Sequence, residues 1–302
     1  MSKISVILAT YNEENNLRAC LESIKSLASE IVIVDGSSTD KTVAIAKEFK
    51  AKVTIKDNPL MFHKNKQLAI EGATGDWILY LDADERVSTE LKKEILKAIQ
   101  ESHYSGFWIP RKNIIFGKWI EHTGWWPDRQ LRLFRQGKAF LPCQSVHEQP
   151  QLSGKAGYLE NPLVHYNYQT VSQYLQKLNQ LYTENDKRVF LAKKEKLSWT
   201  DFIKQPADEF LKRFFQEEGY KDGLHGLILS FFQAFSVLVC LAKVWEEQGF
   251  STLEPPKFLL AINKEIDKVI KDFRYWIMTS LIGQTESKTK KTILKTRRKL
   301  KI

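Results

Sequence analysis

The sequence predicts an α/β fold, a mixed but mostly parallel sheet flanked by helices, with a helical C-terminal region. Two observations carry that prediction. Over the first hundred residues, continuous apolar runs alternate with stretches of helical spacing, the signature of parallel strands joined by right-handed crossovers. After about Thr170 the chain turns helical.

KISVILA (3–9) is a strand with continuous apolar character, as cover on both faces requires. NEENNLRACLESIKSL follows as a helix, with Leu17, Cys20, Leu21, Ile24 and Leu27 on one face and Asn12 as the expected N-cap. EIVIVD (30–35) is the second strand, and STDKTVAIAKEF is the second helix, capped by Ser38 or Thr39. AKVTIK is a third strand, residues 62–73 a third helix and DWILYL (76–81) a fourth strand, before a helix from about Ser88 to Gln100. From Gly106 to Val164 the pattern changes to short β-like pieces, GFWIPRKN, IIFGKWI and RQLRLFRQG, expected to be mixed or antiparallel. VSQYLQKLNQLYTENDKRVFLAKK then sets Tyr174, Leu175, Leu178, Leu181 and Tyr182 on one side of a helix, and two prolines near 255 interrupt the helical region.

At 302 residues the chain is long enough to bury a substantial core, and 43% hydrophobic with 27% charged residues argues against disorder. The net charge of +10 is uneven: KTKKTILKTRRKLKI (288–302) holds eight Lys or Arg and no acid, which leaves the remainder near neutral. A basic tail binds nucleic acid, an anionic membrane or only water. Cys20, Cys143 and Cys240 match neither a disulfide framework nor a zinc spacing, so a reducing compartment is expected. The apolar run of MSKISVILAT is too short for a signal peptide, so no export signal is expected. Residues 224–242, LHGLILSFFQAFSVLVCLA, lack acid and base apart from His225 and are just long enough to span a bilayer. Ser, Gln and His inside the run leave a buried or interfacial helix equally open.

In open parallel sheets, ligands bind beyond the carboxyl ends of the strands. The loops placed there are TYNE (10–13), DGSSTD (35–40) and DADE (82–85). Any one is explained as a turn with a helix cap; three acid-rich loops at one edge define a site. No G-x-G-x-x-G follows the first strand and no phosphate-binding G-x-x-x-x-G-K-[ST] occurs. Asp82 and Asp84 form a D-x-D whose oxygens suit one divalent cation, Mg²⁺ or Mn²⁺, bridging to a diphosphate. Asp35 is placed to accept hydrogen bonds from a base or ribose.

VILATYNEENNLRACLESI, EIVIVDGSSTD and KNKQLAIEGATGDWILYLDADERVS resemble family 2 glycosyltransferases of the GT-A fold. WWPDRQLRLFRQG, VHE and DGLHGLILSFFQAF are similar to the lipopolysaccharide-core β-glucosyltransferase-like subgroup. The resemblance covers most of residues 3–246, and DGSSTD departs from the family's Asp-Ser-Gly-Ser-x-Asp. It implies a catalytic domain over 1–170, divided near 105 into nucleotide-binding and acceptor-binding halves, then a helical region (171–287) and the basic tail (288–302).

The resemblance further implies a nucleotide-sugar donor, UDP-linked by analogy, and inverting transfer to a glycan or lipid-linked acceptor of the cell envelope. Thr10, Tyr11, Glu13 and Asp35 would hold the nucleoside, with Lys64, Asn65, Asp82 and Ala83 lining the donor pocket. Asp82 and Asp84 would hold the metal and diphosphate, with His147 as third metal ligand. Asp128, preferred to Glu148, would be the general base. Trp125 and Trp126 suit the apolar faces of sugars, and Arg129, Arg132 and Arg135 suit phosphate oxygens, although RQLRLFR also fits a strand with one wet face.

A sugar-phosphate nucleotidyltransferase would show a Gly-rich phosphate loop with Arg after the first strand, which TYNEENN lacks. A basic nucleic-acid-binding protein would carry charge at the sheet edge, so no nucleic-acid partner is expected. The apolar run at 224–242, Phe214 and Phe215 beside Lys212 and Arg213, and the basic tail suit peripheral docking on an anionic leaflet. The expected location is therefore cytoplasmic, on the inner face of the membrane, with self-association into a homo-oligomer left open.

Overall fold

The computed structural model describes residues 2–59, 61–100, 103–144, 148–194 and 196–300. They form two compact units: one holds the chain up to Glu121 and Trp125–Thr170, the other His122–Gly124 and everything from Val171.

The first unit is built on one mixed sheet. Strands β1 (Ile4–Thr10), β2 (Glu30–Asp35), β3 (Lys52–Ile55) and β4 (Trp77–Tyr80) alternate with helices α1 (Glu14–Ile24), α2 (Thr42–Glu48) and α3 (His63–Glu71). The short strand β5 (Glu85–Val87) precedes α4 (Thr89–Ala98), and β6 (Gly106–Ile115), β7 (Lys118–Trp119) and β8 (Arg129–Arg135) follow. A small β9 (Ala139–Phe140) and β10 (Gln151–Leu152) pair with each other, while β11 (Ala156–Tyr158) and β12 (Leu163–Tyr168) return to the main sheet. Its order is β3-β2-β1-β4-β8-β6-β12-β5. The first four strands are parallel neighbours, β8 runs antiparallel between β4 and β6, and β12 lies parallel to β6.

Strand alternation explains the core. Val6 and Leu8 pack with Leu17, Cys20, Leu21 and Ile24 of α1 and with α2 and α4, whereas Ile7 packs with Ala69 and Ile70 of α3 on the other face. Because β8 lies inside the sheet, RQLRLFR has no wet face: Leu131 to Phe134 are all buried. Of the two expected pieces before it, GFWIPRKN runs on through Ile115 as β6, and the rest of IIFGKWI turns back as β7.

The helix caps differ from expectation. Ser38 and Thr39 do not cap α2, and Asn12 does not cap α1. Instead the loops cap one another across the sheet edge. Asp40 Oδ2 accepts from Glu14 N, and Glu14 Oε2 accepts from Lys41 N. Asn12 Oδ1 accepts from Thr39 N while Asn12 N donates to Ser38 Oγ. This reciprocity satisfies orphan amides of two helix starts with side chains from the partner loop. In DGSSTD the departure from the family pattern fits at one position and strains the next: a Cβ on Gly36 would press on Asn58 at 3.0 Å, whereas Ser37, where the pattern has Gly, takes a left-handed φ of 63°.

The second unit is helical. α5 (Val171–Lys177), α6 (Thr183–Ala192) and α7 (Asp201–Leu211) lead to the long α8 (Leu224–Glu247), α9 (Phe258–Gln284) and α10 (Lys288–Leu300). A π-wound segment at Leu178–Tyr182 separates α5 from α6; Tyr174 and Leu178, four residues apart, are buried, whereas Leu175 is exposed. The DGLHG segment is structural. Asp222 accepts from His122 N and Thr123 Oγ1, and a Cβ on Gly226 would lie 1.8 Å from the Gly219 carbonyl oxygen. Phe214 and Phe215 are not a surface patch: they pack with Phe210, Tyr220 and Phe273, and Arg213 pairs with Glu209 and Glu217. The basic tail forms α10, packed on α9 with Arg298 over the Tyr275 ring.

Candidate active site

The site is assembled within the first unit, at the carboxyl ends of β1, β2 and β4. Thr10 and Asp35 close β1 and β2 in register, and Asp82 follows β4 on the other side of β1. Asp35 is thus about two strand spacings, roughly 10 Å, from the β4 edge. Asp35 is fully buried and accepts from Thr10 Oγ1 (2.8 Å), Ser38 N (2.8 Å) and Ser38 Oγ (2.6 Å), so it organises the loop as well as facing the edge. Tyr11 is 46% exposed, and Glu13 accepts from Asn16 Nδ2. At the start of α3, Lys64 faces solvent and Asn65 is buried, donating to the Asp57 carbonyl.

The D-x-D residues have separate environments. Asp82 Oδ1 lies 2.6 Å from Lys66 Nζ, and its Oδ2 lies 2.5 Å from Arg132 Nη2. Both cations also sit over the Tyr80 ring, at 4.9 and 4.2 Å. Glu85, fully buried, accepts from Arg132 Nη2 and from Asp82 N. Burial works against ionisation of Asp82, but Arg132 and Lys66 overcome it and hold the carboxyl well below the usual range. Ala83, between the two aspartates, is buried.

Asp84 faces elsewhere. Its Oδ2 lies 3.4 Å from His165 Nε2 on β12. His165 is the register partner of Glu85 on one side and of Asn113 on the other, so Glu85, His165 and Asn113 form a row across β5, β12 and β6. His165 Nδ1 is 2.6 Å from Asn113 Oδ1, and Asn113 Nδ2 donates to Asp128 Oδ2 (3.0 Å) and to the Trp125 carbonyl (2.8 Å). Asp128 also accepts from Arg111 Nε and Gln130 Nε2, both at 2.8 Å, and sits at φ 30°. Burial opposes its charge, and Arg111, Asn113 and Gln130 together bring its pKa below the ordinary value. Asp84 and Asp128, distant in sequence, are therefore joined through His165 and Asn113.

Glu148 is committed differently: its two oxygens accept from the backbone N–H groups of Cys143 and Gln144, and His63 lies 3.4 Å away. His147 lies outside the described residues. Trp125 packs edge-on against Tyr168, Trp126 edge-on against Trp119, and exposed Arg129 lies over the Tyr158 ring. Arg135 covers the Trp77 ring and donates to the Tyr104 carbonyl, so of the three arginines of β8 Arg132 alone joins the D-x-D contacts given above. Among the described residues, Trp77 Nε1, Trp119 Nε1, Trp125 Nε1 and Arg132 Nε are buried donors with no acceptor, a costly condition that, at Arg132, a polar ligand would relieve.

Lys66, Arg111, Asn113 and His165 were not singled out in the sequence. Lys66 had a signal: it shares the helical face of His63, Ala69 and Ile70, all buried. Asn113 and His165 had none, because only the strand order sets β12 between β6 and β5.

Among the described residues no three His, Cys, Asp or Glu side chains enclose an ion. The donor chemistry nevertheless fits a divalent cation at Asp84 and His165. In the connected set, four carboxylates (Asp82, Asp84, Glu85, Asp128) face three cationic side chains (Lys66, Arg111, Arg132). The Asp84 carboxylate lies beside the His165 nitrogen, whereas Asp82 spends both oxygens on side-chain cations. A carboxylate and an imidazole suit Mn²⁺ or Mg²⁺, with other positions left to ligand oxygens.

Comparison with known proteins places this site in context. Residues 5–153 match the family described as glycosyl transferase family 2. An uncharacterized glycosyltransferase of Rickettsia felis is 28% identical over 259 residues, 82% of this chain and 90% of the relative. The lipopolysaccharide core biosynthesis glycosyltransferase LpsC of Rhizobium meliloti is also 28% identical, over 82% of this chain and 93% of its own. Among solved structures, S. aureus TarS 1–349 in complex with UDP aligns over 82% of this chain and 92% of its own, at 17% identity and a TM-score of 0.43. The chain spans about half of the longer TarS structure, 55% of its length.

Proposed function

Because the chain belongs to glycosyltransferase family 2, we propose that it transfers a sugar from a nucleotide-diphosphate donor, UDP-linked, to a saccharide or lipid-linked acceptor, with inversion at the anomeric carbon. The observation that carries this reading is the buried line Asp84–His165–Asn113–Asp128, which joins a cation-suited pair to an ionised carboxylate beside two tryptophans. Similarity to LpsC supports an acceptor in the cell envelope, of the lipopolysaccharide-core kind.

The nucleoside lies against Thr10, Tyr11, Glu13 and Asp35. Lys66 and Arg132 set positive charge beside the D-x-D, where a diphosphate is anionic, and Arg132 Nε supplies a donor with no other acceptor. Asp84 and His165 would hold a divalent ion, which would supply positive charge beside the leaving diphosphate. Asp128 accepts the acceptor hydroxyl's proton. Arg111 keeps it ionised near neutral pH at some loss of basicity, and its Oδ1 has Gln130 as its hydrogen-bond partner. Trp125, Trp126 and Arg129 border the acceptor side. Glu148 is the weaker base, since its oxygens hold the 143–144 backbone.

A panel of nucleotide sugars tests the reading. UDP with Mn²⁺ is expected to raise the melting temperature, one UDP-sugar to be hydrolysed or transferred, and short DNA to do nothing. Stabilisation by no nucleoside diphosphate, with turnover of no donor, overturns it.

The second unit supports peripheral docking on the inner face of the membrane. α8 is the one helix among the described residues long and apolar enough to cross a bilayer; only 28% of its apolar window is buried, with Leu224, Phe231, Phe235 and Leu238 exposed. α10 carries seven Lys or Arg and no acid, which favours an anionic leaflet.

A further inference from the structure

We propose that Asn113 is a positioning residue: it fixes the tautomer of His165 so that a bare Nε2 faces Asp84, and with the same amide holds Asp128 in place. The link to a cation rests on the donor reading above; the tautomer does not.

The orientation of the Asn113 amide is forced by its neighbours. Nδ2 lies within hydrogen-bond distance of the Asp128 carboxylate and the Trp125 carbonyl, and both can only accept. Oδ1 must then be the atom 2.6 Å from His165 Nδ1, and that contact requires a proton on Nδ1. Neutral His165 consequently presents its Nε2 lone pair to Asp84 Oδ2 at 3.4 Å. Two acceptors at that separation repel unless a positive charge lies between or on them. The side chains cannot turn away to relieve this: Asn113 is fully buried, His165 is 6% exposed, and their strands are in register.

The consequence is a mechanical link. Rotation of the Asn113 amide would put its oxygen against Asp128 and its NH₂ against His165, breaking both contacts at once. Whatever positive species occupies the Asp84–His165 pair is thereby sensed at Asp128, the proton acceptor, through one side chain. Outer partners of this kind orient metal-ligating imidazoles, and their loss commonly weakens metal affinity tenfold to a hundredfold.

The test uses the full-length protein and two readouts besides turnover. Long-range ¹⁵N–¹H NMR of metal-free wild type at alkaline pH is expected to show His165 protonated on Nδ1 and bare on Nε2. In Asn113→Leu, of similar size, Nδ1 loses its acceptor; the neutral ring's proton is expected on Nε2, toward Asp84, with a Mn²⁺ affinity about tenfold weaker or worse. UDP binding in EDTA checks that the variant is folded. Wild-type His165 protonated on Nε2 overturns the proposal, as does a folded variant with unchanged tautomer and unchanged Mn²⁺ affinity. Should Asn113→Leu fail to fold, the wild-type spectrum alone decides the tautomer. If wild type shows the expected tautomer yet binds neither Mn²⁺ nor UDP, the positioning role stands and the donor reading falls.

Discussion

Lys66 Nζ lies 2.6 Å from Asp82 Oδ1, although Lys64, two residues earlier on the same helix, points to solvent. The helical period turns adjacent lysines to opposite environments, and only the inner one neutralises the D-x-D. Removing one member of a buried ion pair leaves the other poorly solvated; since Arg132 still serves Asp82, Lys66→Met is expected to lose about 2 kcal/mol. Lys64→Met is expected to change stability by less than about 0.5 kcal/mol. Urea denaturation of both at pH 7 checks the contrast, and equal losses would refute it.

Asp128 and Glu148 are separated by their partners. Asp128→Asn is expected to lower kcat by roughly 10³, the scale of a lost general base, with UDP affinity within about twofold of wild type. Glu148→Gln keeps an oxygen for one backbone amide and is expected to lower kcat by less than about tenfold. Near-normal turnover in Asp128→Asn, measured with the donor found in the panel, would remove it from the reaction.

Far from the site, at the amino ends of the strands, Glu30 ties Ser5, Lys52 and Thr74 together. Burial raises its pKa, but Lys52, Ser5 and Thr74 outweigh that and lower it from 4.5 to about 2. A depressed carboxyl stabilises the fold above its unfolded pKa and loses that contribution as pH falls through the folded value. Glu30→Gln is therefore expected to cost up to about 3 kcal/mol at pH 7, with the gap closing between about pH 4.5 and pH 2. A gap independent of pH would show that packing, not charge, holds this junction.

Membrane docking predicts that the full chain co-sediments with anionic vesicles and not with zwitterionic ones. Each basic residue near such a surface contributes about 1 kcal/mol, so deleting 288–302 is expected to weaken binding at least tenfold. Unchanged binding after the deletion assigns the contact elsewhere.

The periodic parts of the chain were legible. β1, β2 and the buried face of α1 follow from apolar spacing, and the acid-rich strand ends fall on one edge once those strands are placed. Helix starts were less so. Asn12, Ser38 and Thr39 have the composition of local caps, but each serves the neighbouring loop, a choice that local sequence does not encode. Lys66 was recoverable from helical phase and was passed over for Lys64.

Sequence alone determined the α/β class, the family and the D-x-D at the end of the fourth strand, because period, turn chemistry and short motifs are properties of contiguous residues. Tertiary structure decided which charges meet. Strand order sets β12 between β5 and β6, so residues 85, 165 and 113 become neighbours and a histidine on no recognised motif comes to face Asp84. The physical reason is that Coulomb energy and hydrogen bonding act over a few ångströms of space, whatever the distance along the chain.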